Sequence, residues 1–277
     1  MYIFCLAALL AMSCNEWEND IVMNDPEPVN TNTGSAVDED GQLYNMNFDL
    51  WSKDGNNEVC YGADASPEQK KVWGSANAST SMLGKNTCIP DSVFVAMEGA
   101  GKKAVMLKTQ LVNALITKKL AAGCIFTGQM GSINISKLSA TLKWGIPFTL
   151  RPKALEGYAC YKPVAIDVVK APFDDWLGKT DSAHVFVLLT DWDEQFTVDP
   201  ATDTFVDIDN DPHIIGYGKV GYNHTLAGYE KFRIDIDYRS NRTPRYVVIV
   251  ASSSALGDFF TGGDGSTLYL DEFRFIY

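Results

Sequence analysis

Residues 232–238 read Phe-Arg-Ile-Asp-Ile-Asp-Tyr. In an extended chain Phe232, Ile234, Ile236 and Tyr238 share one side, and Arg233, Asp235 and Asp237 take the other. A period of two marks a strand with one face buried and one face in water, as antiparallel sheets provide. Working outward, 246–251 (YVVIVA) and 185–190 (VFVLLT) are short apolar runs rich in β-branched residues. They read as central strands. The end of the chain, 268–277 (LYLDEFRFIY), reads as a closing strand. Its apolar set is Leu268 and Leu270, then Phe273, Phe275 and Tyr277, so the parity changes near Asp271 and predicts a bulge there.

Clusters of Gly, Asn, Asp and Pro at 54–57, 207–212 and 257–265 punctuate these runs. The clear helical signal is Ser66-Pro67-Glu68-Gln69, an N-cap, a Pro at the first helical position and a capping-box partner. It predicts a turn or two before Trp73-Gly74. Residues 104–120 (AVMLKTQLVNALITKKL) fit a helix as well as a strand followed by a crossing loop. No internal repeat is present. The fold class is therefore all-β. Many short strands with long connections point to a sandwich, and the jelly roll is the common form with long crossovers.

A chain of 277 residues is long enough for one such domain after a leader and a tether. Apolar residues make up 46% and charged residues 21%, a globular composition. Aromatics at 12% can fill a two-sheet core and leave some for a binding face. The net charge of −12 supplies no basic footprint, so a nucleic-acid partner is not expected.

Residues 1–14 read MYIFCLAALLAMSC. The apolar run 2–12 is too short for a bilayer core of about 30 Å and fits the centre of a signal peptide. No Lys or Arg precedes it, which points to a translation start further upstream. Its end, Ser13-Cys14, resembles a bacterial lipobox, with Met12 larger than the residue usual there. Cys14 is the expected lipidation site. Asn15-Glu16-Trp17-Glu18-Asn19-Asp20 resembles the acidic surface-export signal of Bacteroidetes lipoproteins. Residues 15–41 read as a flexible tether and 42–277 as the body. This organisation predicts a protein lipid-anchored to the outer membrane through Cys14 and displayed at the cell surface. Cys60, Cys88, Cys124 and Cys160 lack the close pairs of a zinc site. Three disulfide connectivities or free thiols remain open.

Several strings carry a family resemblance. They are Asn47-Phe48-Asp49-x-Trp51, Trp73-x-x-Ala76-Asn77, Ala121-Ala122-Gly123-x-x-Phe126-Thr127-Gly128 and Gly145-Ile-Pro-Phe-Thr149. Then come Arg151-Pro152 with Leu155-x-Gly157-Tyr158, Leu189-Thr-Asp-Trp192 and Ile215-x-Tyr217-Gly218. The last is Ser252-Ser-Ser-x-x-Gly257-Asp258-Phe-Phe-Thr-Gly-Gly-Asp264-Gly-Ser-Thr-Leu268, with Asp271. Together they resemble the putative carbohydrate metabolism domain family of Bacteroidetes lipoproteins, over residues 44–277. Three features depart from its pattern: Cys160 where a further aromatic is usual, Cys124 within the Ala-Ala-Gly stretch, and an acidic insertion at 193–211. The resemblance implies a jelly-roll sandwich similar to carbohydrate-binding modules and a link to glycans.

It also implies candidate sites. In carbohydrate-binding jelly rolls, an acidic residue on the first strand and an Asp on the last often share a structural calcium ion. Asp49, after Asn47-Phe48, and Asp271, before Glu272, occupy similar positions. The alternative is a pair of ordinary edge carboxylates. The run Asp207-x-Asp209-Asn210-Asp211 starts like an EF-hand loop, but Pro212 and Gly218 stand where Gly and Glu are needed, so it reads as a solvated acidic loop.

Sugars stack on exposed aromatic rings while Asp, Asn or Arg bond their hydroxyls. Trp176, Trp192 with Asp191, and Tyr158 and Tyr161 following Arg151 are the expected carbohydrate contacts. Core packing is the competing reading for each Trp, and it is the one assigned to Trp51 and Trp73. For hydrolysis by paired carboxylates, Asp191, Asp258, Asp264 and Asp271 are the acids in recognisable strings, and none is singled out as catalytic. No nucleophile elbow, HExxH or P-loop is present. His184, His213 and His224 are scattered without metal spacing, and the loop 257–265 reads as a tight connection into the last strand. No cofactor is required. The sequence favours a surface lipoprotein that binds a polysaccharide or oligosaccharide without catalysis. A glycoside hydrolase or lyase is the runner-up, and a structural or adhesive module without a sugar site is the third reading.

Overall fold

The computed structural model describes residues 34–114, 117–134 and 139–277. The expected leader, Cys14 and the part of the expected tether at 15–33 lie outside the described residues. Within the described part, the polypeptide from Gly34 onward forms one unit, so the body begins before the boundary at 42. Val37 bridges Leu43, Tyr44 N–H donates to Ala36 O, and Ala36 and Val37 pack on the core.

Two antiparallel sheets face each other. Among the described residues the larger runs in the order Phe196–Val198, Ser139–Trp144, Cys124–Asn134, Tyr246–Ser252, Ala183–Thr190, Ile214–Tyr222, Asp237–Tyr238. Trp73–Ser75 and Ile146–Pro147 pair off this path. The smaller sheet runs Glu230–Asp235, Ala154–Lys162, Thr267–Ile276, Ala104–Lys108, Cys88–Asp91. Apart from Cys124–Asn134 with Ser139–Trp144 and Cys88–Asp91 with Ala104–Lys108, neighbouring strands in these sheets are not consecutive in the chain, as crossover connections in a sandwich require.

The alternating stretch 232–238 straddles both sheets. Glu230–Asp235 edges the small sheet, the chain turns at Ile236, and Asp237–Tyr238 joins the large one. Phe232, Ile234 and Ile236 all point into the shared core. The core between the sheets is formed by Val185, Val187 and Leu189 with Val247 and Ile249 on one side. Leu155, Tyr161, Leu268 and Leu270 face them from the other. The two runs expected to be central are central. Their alternate residues Phe186, Leu188, Val248 and Val250 are buried too, in a second cluster on the outer face of the large sheet. Burial on both faces explains why these strands are apolar without alternation.

The local signals hold where the chemistry is local. Ser66 Oγ accepts from Gln69 N–H at 3.1 Å and Gln69 Oε1 accepts from Ser66 N–H at 3.0 Å, the reciprocal bonds of a capping box. The helix it starts is a single 3-10 turn, Gln69–Lys71. The last strand gains one residue against Ala154–Lys162, with Tyr158 opposite Asp271 and Glu156 opposite Arg274. Glu272 sits in that bulge at φ 49°. The described residues of 104–120 are mainly strand: Ala104–Lys108 in the small sheet, then Gln110–Ala114 paired antiparallel with Thr117–Ala121. Cys60, Cys88, Cys124 and Cys160 are free thiols. Among the described residues no helix is long and apolar enough to cross a membrane.

Candidate functional site

The outer face of the large sheet is apolar enough to need a cover. Part of it comes from the segment 193–211, read from sequence as an acidic insertion. Its acids lie outward, while Val198 is fully buried and Phe196, Phe205, Val206 and Ile208 pack on the outer cluster. The remainder of that face is left open as a pocket of about 390 Å³. Its floor is Cys124, Phe126 and Met130 with Leu142 and Trp144, and beside them Val250, Ser252 and His184. Thr80 and Met82 form one wall, the hairpin residues Val112 and Leu120 another, and Asp258 and Phe260 a third. That volume and apolar lining with a few polar groups are typical of a small-ligand site.

Two glycine-dependent contacts and one strained turn shape it. A Cβ at Gly128 would lie 2.0 Å from Lys143 O, so the Phe-Thr-Gly string lets two strands close up beside Trp144. A Cβ at Gly257 would lie 2.3 Å from the Ala122 Cβ, so the Gly-Asp-Phe-Phe loop rests directly on the Ala-Ala-Gly stretch. The same loop turns at Phe260, whose φ of 54° is rare for a bulky side chain. Backbone held in that region tends to mark functional sites. The ammonium groups of Lys119 and Lys170 lie 5.0 and 5.1 Å from the Phe260 ring centre.

The polar groups of the pocket are unusual in lacking partners. Trp144 is 6% exposed, yet its Nε1–H has no acceptor among the described residues, and the same holds for Thr80 Oγ1 and His184 Nδ1. Buried polar atoms are normally paired, so three such atoms around one cavity need an explanation. Burial, reinforced by Lys219, lowers His184 to about 3, which keeps the imidazole neutral. Burial raises the Cys124 thiol to about 12, so it is not a thiolate nucleophile. Asp258 still meets water, but enclosure by the pocket walls raises its carboxyl to about 6. It is the one carboxylate among the described lining residues.

A family profile described as "Putative carbohydrate metabolism domain" matches residues 47–276. The chain belongs to this family. A solved structure from Bacteroides thetaiotaomicron, described as a putative glycoside hydrolase, is similar at 22% identity and a TM-score of 0.63, over 84% of this chain and 70% of that one. A second, from Bacteroides vulgatus and described in the same words, is similar at 20% identity and a TM-score of 0.60, over 83% and 96%. At these identities the likeness is one of fold. A family 16 carbohydrate-binding module aligns at 10% identity and a TM-score of 0.31, over 69% of this chain and 86% of that one. A comparison with curated proteins found no match.

The carbohydrate metabolism domain strings converge on the pocket: 121–128 and 252–260 both line it. None of the six expected sugar contacts does. Tyr161 is fully buried between the sheets, its Oη donating to Ser253 O at 3.0 Å, and it has no ring face to offer. Trp192 is core as well, stacked near Phe196 with its Nε1 on Asp211 Oδ2 at 2.9 Å. These two expectations are corrected by burial. Asp191 is committed to His213 and Arg242. Arg151 lies over the Tyr238 ring and donates to Ser240 O at 2.8 Å. Tyr158 is half-buried on the other sheet, between Lys231 and Asp271 in register. Trp176, 39% exposed on the turn Asp174–Trp176, has Lys179 over its ring. Trp51 and Trp73 pack on the core as expected.

The calcium expectation meets a different cation. Lys102 Nζ sits 3.0 Å from Asp49 Oδ2 and 2.7 Å from Glu272 Oε1. Asp49 also accepts from Asn47 and from Lys103 N–H. Asp271 accepts from Ala96 N–H and Glu272 N–H at 2.8 and 2.9 Å. A calcium ion needs six to eight oxygens turned toward it. Here the oxygens are turned toward N–H donors, and no group of three or more ligating side chains occurs among the described residues. These residues do not fit the ion; Lys102 supplies the positive charge instead. The acidic run 207–211 is likewise a self-bonded turn, with Asp207 accepting from Asn210.

What sequence reading missed is the pocket itself. Trp144, His184 and the pair Asp258 and Phe260 come from three separate segments. The available signal was that Asp258 and Phe260 lie in the most specific string.

Proposed function

We propose that the chain is a surface lipoprotein, anchored through Cys14, that binds a carbohydrate without cleaving it, in the pocket on the outer face of the large sheet. The observation that carries this is the convergence of two family strings on one aromatic-walled pocket with unpartnered polar atoms. Trp144, Phe126 and Phe260 offer apolar surface to sugar C–H faces. Asp258 and the His184 imidazole, both among the lining residues, offer hydrogen bonds to hydroxyls. Hydrolysis by the common route needs two carboxylates about 5–10 Å apart, and Asp258 stands alone among the described lining residues.

A second reading, a glycoside hydrolase, draws on the raised carboxyl of Asp258, which suits a general acid. One screen separates the two. The chain without its leader is passed over a panel of immobilised polysaccharides and scored for retention and for released reducing ends. Retention without release supports the binding role. Release that Asp258→Asn abolishes overturns it in favour of hydrolysis. Neither retention nor release on any glycan overturns both.

A further inference from the structure

The pocket is long, and its two ends differ. Cys124 and Met130 both line it and stand six residues apart on the strand Cys124–Asn134, about 20 Å in an extended chain. At one end Cys124, Ser252 and His184 lie side by side in register across three strands. Gly257, the residue before Asp258, approaches Ser252 there, and the Asp258 charge is felt at Cys124. At the other end Met130 pairs with Leu142 and Ile133 with Ala140, with no polar side chain among these four. Between them Trp144, opposite Gly128, lines the cavity.

A free sugar presents hydroxyls around its whole rim. At the Met130 end they would find no partner, and each unpaired hydroxyl weakens binding. A purely apolar ligand would leave the Asp258 carboxyl, at the opposite end, without a partner. Resting on the carbohydrate-binding reading above, we infer that the pocket takes an amphiphilic glycoside. Its sugar lies at the Asp258 and His184 end, and an acyl, alkyl or aryl substituent lies along Met130, Leu142 and Trp144.

The test is titration calorimetry on the chain without its leader. The probes are matched methyl and hexyl glycosides of several common sugars, with hexan-1-ol as the apolar probe without sugar. The hexyl member of a pair binds at least about tenfold tighter than the methyl member, since each buried methylene adds to affinity. Met130→Gln and Leu142→Gln, at partly exposed positions that leave the fold intact, bring that ratio toward one. Asp258→Asn weakens both members and leaves the ratio unchanged. Trp144→Ala weakens the hexyl member most; being buried, it is judged only if its thermal melt stays cooperative. Equal affinity of methyl and hexyl members in the unmodified chain overturns the amphiphile while the carbohydrate reading stands. Hexan-1-ol binding as tightly as the hexyl glycosides overturns the carbohydrate reading at this pocket. No binding by any probe overturns the inference.

Discussion

The two sheets turn very different faces to the outside. The small sheet carries a lattice of charge: Glu156 is bonded to Lys231 and Arg233 at 2.9 Å, with Arg274 at 3.5 Å. Lys231 and Arg233 also stand on its edge strand, where charged side chains discourage pairing with other chains. The large sheet carries a second apolar cluster, closed on one side by the insertion 193–211 and open on the other as the pocket. Each sheet thus buries its inner face in the same core, and among the described residues the large one adds a second buried cluster on its outer face. An outer face built for water is stabilised locally and weakly. One built for a cover or a ligand puts more stability, and more specificity, at stake.

The sharpest way to break this comparison is Val198→Asp. The residue is fully buried beneath the insertion, and an uncompensated charge there is expected to cost about 3–5 kcal/mol, read from the urea midpoint. A loss near zero would show that the insertion is not a structural cover. Leu188→Ala, on the outer face of a central strand, is expected to cost about 3 kcal/mol by the same measurement, as core truncations do.

The small sheet has two buried outer-face acids, Glu156 and Asp271, and burial pushes Asp271 up to about 7. An acid raised in the folded state binds its proton there more tightly than in the unfolded chain. Stability therefore falls as pH rises from the ordinary carboxylate range to about 7 and levels off above it. Asp271→Asn should flatten that slope between pH 4 and 7. An unchanged slope would assign the effect elsewhere. The smallest effect is expected from Glu156→Gln. Bonds from Lys231 and Arg233 lower its pKa, so its contribution is present at neutral pH and lost as acid reaches that lowered value. Added salt should shrink the difference between Glu156→Gln and the unmodified chain, because the cations it pairs with are half in water.

The same contrast explains what sequence could reveal. The stretch 232–238 was legible because its outer face meets water and so had to alternate. The strands Ala183–Thr190 and Tyr246–Ser252 were legible as strands, but which of their residues faced the inner core was not, since both faces are buried. The bulge at Glu272 and the capping box at Ser66 were legible because their causes lie within a few residues. The pocket was not: Cys124, Trp144, His184 and Asp258 meet through register between strands far apart in the chain. His184 looked scattered because its spacing matched no metal motif. Its place beside Ser252 is a property of the sheet. Trp192 and Tyr161 looked like sugar contacts because motif strings and strand ends say nothing about burial.

The chain enters its body beside the strand that ends it. Gln42 grips Phe275 from both sides, its Oε1 accepting from Phe275 N–H at 2.6 Å and its Nε2 donating to Phe275 O at 3.1 Å, while Tyr277 Oη donates to Gly41 O. One side chain thereby imitates a paired strand. In mechanical terms this is a strain-relief clasp: behind the contacts of Gly34, Ala36 and Val37, the Gln42 and Tyr277 bonds tie the start of the body to the last strand. The pocket, built on the other sheet, is kept out of the load path.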